Sequence, residues 1–228
     1  MKIGVFADLH SNVYALNKML SIESNVDKWI CLGDFVGLFP PVNEVVNKLR
    51  LHEFTVIKGD HEKFLLSGNK MEYSFTGNDA LERQRQQITR KNKEYIFNLN
   101  DALSITISGI KMRLLHTLQS DNEQNGKKYL IDLKAVNDKF SDFDIVMFGD
   151  THLPLISYCQ GVVVINPGSC GFPIDVTGNP SYVILDTRNL ACEIKRFHYN
   201  KEPLLADITT HGYHRKLYDF IKDGYWSK

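Results

Sequence analysis

Apolar residues in this chain fall into short blocks that stop abruptly on acidic residues or histidines. The first, residues 2–7, shows no alternation with polar positions, which predicts a strand buried on both faces. It stops at Asp8 and His10. Val13, Leu16, Met19 and Leu20 then recur at helical spacing, with Ser11 or Asn12 placed to cap the helix. Residues 27–32 form a second block, ending in Gly33 and Asp34. A loop rich in glycine and proline leads to a helix carrying Val45, Val46 and Leu49, with Pro41 near its first turn. The third block, residues 54–57, ends in Gly59, Asp60, His61 and Glu62. Strands separated by single helices predict a βαβαβ unit and a parallel sheet.

The rhythm breaks between about residues 66 and 100. Residues 68–78 are polar and turn-like, and residues 79–97 read as a charged helix with sparse apolar positions at Leu81, Ile88, Tyr95 and Ile96. This stretch is either a solvated helix or a small helical cap over the strand ends. Residues 103–107 and 112–115 flank a turn at Ser108 and Gly109 and predict a hairpin ending in His116. A polar loop at 117–128 and a short helix at 130–140 lead to a strand at 144–148, which ends in Gly149, Asp150, Thr151 and His152. A hairpin at 155–165, a tight turn at 166–171, two strands at 182–185 and 191–197 and a helical tail at 203–228 complete the chain. No repeat or linker divides residues 1–228, so one domain is expected.

Composition narrows the function classes. The chain has 228 residues, 43% hydrophobic and 24% charged, which suits a protein with a substantial core. Its formal net charge is zero, so no stable binding of nucleic acid through the phosphate backbone is expected. No basic-plus-apolar leader and no run of membrane-spanning length occur, which points to a cytoplasmic protein without a membrane partner. Cys31, Cys159, Cys170 and Cys192 are scattered, with no metal or disulfide spacing.

Five strand ends carry acids or imidazoles: Asp8 with His10, Asp34, Asp60 with His61, His116, and Asp150 with His152. Each alone could be a capping residue or a satisfied polar group. Five in one chain, brought to one sheet edge, would repel and leave polar atoms unpaired unless they shared cations. A mixed Asp and His set without thiolates suits manganese, iron, zinc or magnesium.

The order D-x-H, G-D, G-D-H-E, H and G-D-T-H resembles the calcineurin-like metallophosphoesterases, whose pattern is D-x-H, G-D, G-N-H-D/E, H and G-H-x-H. Residues 37–45, 89–92 and 166–169 are similar to a bacterial and archaeal branch described as predicted phosphodiesterases or diadenosine-tetraphosphatase-like proteins. The resemblance implies an α/β (α+β) fold, a four-layer αββα sandwich of two mixed sheets flanked by helices, with a small helical cap insertion. It implies two divalent metal ions, manganese ahead of magnesium, iron or zinc. One would be held by Asp8, His10, Asp34 and His152; the second would share Asp34 and add Asp60, His116 and Asp150. His61 would protonate the leaving-group oxygen and Glu62 could orient it, while a hydroxide between the metals attacks phosphorus. The substrate would be a small phosphorylated or nucleotidic molecule.

Three positions depart from the pattern. Asp60 stands where the family has Asn, Asp150 where it has His, and Ile174 where the branch usually has Arg. The first two fall on the same implied metal and keep an oxygen able to coordinate. The third removes a phosphate contact. The contrasting class is a non-catalytic binding module on the same fold; retention of His61 argues for the enzyme, since a scaffold has no use for a leaving-group acid.

Overall fold

The computed structural model describes residues 1–72, 74–118 and 131–224. Its first half contains β1 (Lys2–Phe6), α1 (Val13–Ile22), β2 (Lys28–Cys31), α2 (Val42–Leu51), β3 (Thr55–Val56), α3 (Asp60–Ser67), α4 (Phe75–Gln87) and α5 (Arg90–Asn98). There follow β4 (Ala102–Ile107), β5 (Ile110–Leu115), α6 (Leu133–Phe140), β6 (Ile145–Met147), β7 (Pro154–Cys159) and β8 (Val162–Pro167). The chain continues with β9 (Ser181–Asp186), β10 (Ala191–Arg196), α7 (Glu202–Thr210) and α8 (Arg215–Asp223).

Two mixed five-stranded sheets result, ordered β10-β9-β1-β2-β3 and β4-β5-β6-β8-β7. The unbroken apolar run of β1 has a direct cause: it is an inner strand, parallel to β2 and antiparallel to β9. Its Ile3 and Val5 face the second sheet and share a core with Met112, Leu114, Met147 and Ile165. Phe6 lies on the opposite face with Leu16 and Met19 of α1 and Val46 of α2. On the far side, Val136 and Phe140 of α6 cover Val146 and Val164. These contacts make the helix–sheet–sheet–helix sandwich. The α7–α8 pair buries Leu204, Leu217 and Phe220 against Phe39 and Phe172.

The region read as a polar turn and one charged helix is instead two helices. Ser74 caps α4, accepting from Gly77 N at 3.2 Å, and Thr89 caps α5, accepting from Asn92 N at 3.3 Å. Ile88 between them is extended (φ −65°, ψ 129°), which breaks the expected single helix. Neither helix is merely solvated: Ala80, Leu81, Gln84 and Ile96 are buried. The loop read at 117–128 lies mostly outside the described residues, as do positions 225–228. No helix among the described residues is long and apolar enough to cross a membrane.

Candidate metal centre

The strands deliver their terminal residues to one place. Asp8 and His10 follow β1, Asp34 follows β2, His61 opens α3 beyond β3, His116 follows β5 and His152 follows β6. The chain turns sharply at each end: Asp8, His10, Asp34, Asp150 and His152 all adopt left-handed backbone, with φ of 53°, 49°, 51°, 65° and 59°. Such conformations cost non-glycine residues about 1–2 kcal/mol each and persist where surrounding structure enforces them. Here backbone bonds tie loop to loop, from Asp8 N to Gly33 O (3.1 Å), His10 N to Asp34 O (2.9 Å) and Gly149 N to His116 O (2.9 Å).

Potential ligand atoms of Asp8, His10 and His152 lie within 4.8 Å of one another. The same holds for Asp8, Asp34 and His116, and for His10, Asp34 and His61. Two histidines have their tautomers set by the backbone. Nδ1 of His116 is 2.7 Å from Leu32 O and Nδ1 of His152 is 2.7 Å from Phe172 O, so each Nδ1 carries the donated hydrogen. Their Nε2 atoms are thereby the ones turned into the cluster, that of His116 3.2 Å from Asp34 Oδ2 and that of His152 3.2 Å from His10 Nε2.

Electrostatics express the same crowding. Burial pushes the Asp8 carboxyl well above its usual range, and the charges of Asp34 and Asp150 add to that effect. Burial and the neighbouring imidazoles of His61 and His152 hold His10 well below the ordinary histidine range. Burial lowers His152 to about 4 and also lowers His61, whose Nε2 is 4.0 Å from Asp34 Oδ2. His116 goes the other way: burial opposes its charge, but the carboxylates of Asp34 and Asp8 outweigh it and raise it. Asp8 Oδ2, His10 Nδ1 and His61 Nδ1 are buried without a hydrogen-bond partner. Buried carboxylate oxygens facing locked imidazole lone pairs are the donor set a divalent cation requires.

Two residues fix the loops. Glu62, fully buried, accepts from the backbone N–H groups of Gly59 (2.6 Å), Val36 (2.8 Å) and Asp34 (2.9 Å). Burial, then the Asp34 charge, raises its carboxyl to about 7. Glu62 thereby clamps the Asp34 loop to the start of α3. Gln84 was not singled out by sequence reasoning. From α4 it accepts from Gly37 N (2.8 Å) and donates to Phe39 O (2.6 Å) and Ser11 Oγ (3.1 Å), all buried. Gly37 is required there, since a Cβ would stand 1.9 Å from His61 Nδ1. The sequence signal was one of three glutamines in a charged helix, Gln84, Gln86 and Gln87, and nothing distinguishes Gln84 until the loops are placed.

Asp60 and Asp150 do not join the ligand groups found among the described residues. Asp60 is the first residue of α3, and its carboxylate lies 3.5 Å from Lys63 Nζ, one turn on, with the side chain 39% exposed. The peptide N–H of Asp150 donates to Asp8 Oδ1 at 3.2 Å, and its charge is felt by Asp8, His116 and His152. Ile174 is exposed.

This fold and cluster place the chain in a known class. Residues 1–190 match the calcineurin-like phosphoesterase superfamily domain, and the chain belongs to that superfamily. It is 29% identical over 216 residues to the uncharacterized protein MJ0912 of Methanocaldococcus jannaschii, covering 87% of this chain and 88% of that one. The phosphodiesterase MJ0936 of the same organism is 30% identical over 192 residues, 82% of this chain and 93% of its own. The metallophosphoesterase from Sphaerobacter thermophilus superposes with a TM-score of 0.80 at 21% identity over 99% of both chains, which shows the shared fold.

Proposed function

We propose that the protein is a divalent-metal-dependent phosphoesterase that hydrolyses a small phosphodiester or phosphomonoester, nucleotides included, with manganese as the metal. His116 and His152 carry this reading: their Nδ1 hydrogens are spent on backbone carbonyls, and their Nε2 atoms turn inward on Asp34 and His10 at 3.2 Å, where a cation would take their lone pairs in place of any proton. Asp8, His10 and His152 would hold one cation, and Asp34 and His116 a second, with Asp8 within reach of both. When bound, the cations supply Lewis acidity toward the phosphoryl group and lower the pKa of water beside it.

The remaining work falls to the chain. His61 holds a proton for the leaving-group oxygen. Burial and, behind it, the charge of His116 lower its pKa, while Asp34 and an incoming phosphate anion act in the opposite direction and favour the proton as substrate binds. Gly37, held by Gln84, leaves room for the His61 ring, and Glu62 fixes the loop that carries Asp34.

The outward carboxylate of Asp60 favours a second reading, a protein that binds metal without turnover. Hydrolysis of bis-p-nitrophenyl phosphate separates the two when chelated protein is reloaded with manganese. Manganese-dependent product, abolished in the His10→Ala, His152→Ala pair, is expected. Bound manganese without product would support the binding module, and failure to bind metal would sink both.

A further inference from the structure

A groove of about 680 Å³ runs between α3 and α5 on the side of α3 away from the metal centre. His61, Glu62 and Leu65 are the buried residues of α3, whereas Lys63, Leu66 and Ser67 line the groove. Across it, α5 buries Asn92 and Ile96 and presents Lys93 and Phe97. The volume is that of a typical small-ligand pocket.

One wall carries the ring of Phe97, and the rim carries Lys58, Lys63 and Lys93 together with Glu94 and Asp101. Phe97 is 69% exposed, so one face of its ring is open to a stacking partner. Three lysines line the same groove, and the ion pairs made by two of them are long. Lys58 Nζ is 3.4 Å from Asp101 Oδ1 and 3.4 Å from Phe97 O; Lys63 Nζ is 3.5 Å from Asp60 Oδ1. Lys93 makes no ion pair among the described residues. Glu94 also lines the groove, but its carboxylate is engaged by Arg90 at 2.9 Å. Long, partly exposed pairs contribute little and exchange readily, whereas a phosphate offers each ammonium a shorter, charge-assisted hydrogen bond. A flat apolar body with a phosphate attached satisfies both halves of this surface. A simple anion leaves Phe97 unused, and a neutral apolar ligand leaves the lysines unused.

We propose that the α3–α5 groove is a second ligand site, taking a nucleoside phosphate whose base stacks on Phe97 and whose phosphates are held by Lys58, Lys63 and Lys93. It needs no metal and stands whether or not the metal centre turns over.

Calorimetric titration of the full chain, dialysed against chelator, with ADP as the probe tests this. Saturable binding of one ADP per chain is expected, weakened tenfold or more by Lys93→Glu and by Phe97→Ser. Both residues are exposed, and thermal melts verify that the variants fold. Adenosine and inorganic phosphate should each bind at least tenfold more weakly than ADP. The His10→Ala, His152→Ala pair should bind ADP as the parent does. No saturation at millimolar ADP, parental affinity in either groove variant, phosphate binding as tightly as ADP, or loss of binding in the histidine pair would each overturn the proposal.

Discussion

Nε2 of His10 and Nε2 of His152 face each other at 3.2 Å, 142 residues apart in sequence, and the hydrogen of His152 is committed elsewhere, to Phe172 O. Two imidazole nitrogens approach this closely when a proton or a cation lies between them. Burial holds both rings below their ordinary pKa and so in the neutral form, in which the one ring hydrogen of His10 can bridge the two nitrogens. Neutral imidazoles are also the form that binds metal, so a cation entering here displaces that hydrogen and takes both lone pairs.

Metal should accordingly stabilise the fold. A cation at about a hundred times its Kd adds about 2.7 kcal/mol if it binds only the native state, which for a chain of this size raises Tm by roughly 5–10 °C. Thermal scans with chelator and then with manganese measure this. An unchanged Tm in both, with metal removal verified, would mean that the cluster is not a metal site.

Glu62 offers a stability test independent of metal. Its two oxygens satisfy three buried backbone N–H groups, and leaving buried donors unpaired costs about 1–3 kcal/mol per group. Glu62→Ala should lose about 3 kcal/mol or more in urea unfolding, and Glu62→Gln less, because it keeps one acceptor oxygen. Equal, small losses in both would show that the clamp contributes little.

The strands and the polar residues at their ends were legible because each is an apolar block cut short by Gly, Asp or His, and inner strands such as β1 need that unbroken apolarity. The cap of α1 was legible to within one residue: Asn12 Oδ1 accepts from Ala15 N at 3.1 Å. The direction of Asp60 was not. A motif fixes its position in the chain, but the first turn of a helix can send that side chain inward to a metal or along its own surface to Lys63. The left-handed backbone at Asp8, Asp34 and His152 was equally hidden, because it comes from hydrogen bonds between loops far apart in sequence. Gln84 lay within a stretch whose charge pattern reads as surface, and only tertiary packing gives it partners.

The loop beside Phe172 should carry its own pH dependence. Burial works to raise the Asp175 carboxyl, but hydrogen bonds from Arg196 and Thr177 outweigh it and depress the pKa. A depressed carboxylate stabilises the fold fully above its unfolded value of about 3.9, and that contribution is lost as pH falls through the lower folded value. Asp175→Asn should therefore cost about 1–2 kcal/mol near neutral pH, the scale of a hydrogen bond to a charged group, and progressively less below about pH 4. A deficit that stays constant as the pH is lowered would assign the loss to packing.

If His61 supplies the leaving-group proton, His61→Ala should reduce turnover by about a hundredfold or more with metal content unchanged. Esters whose leaving groups are strong acids need no proton, so their deficit should shrink. A uniform loss across leaving groups would give His61 a structural or ligand role, for which its place beside His10 and Asp34 provides the geometry.

Asp60 and Asp150 decide how far the family's ligand pattern applies here. With its carboxylate on Lys63 at the first turn of α3, Asp60 interacts with a helix N-terminus and an exposed lysine, a combination worth about 0.3–1 kcal/mol. Asp60→Asn should thus change stability by less than that and leave the metal stoichiometry of the purified protein as it was. Adding Asp150→His supplies the imidazole that the superfamily pattern has at this position, and imidazole is a better ligand for zinc than for manganese or magnesium. The double variant should take up more zinc relative to manganese than the parent does, as read by elemental analysis after loading with equal amounts of both. If Asp60→Asn alone removes a whole equivalent of metal, the carboxylate turns inward when the cation arrives, and the contact with Lys63 belongs to the metal-free protein only.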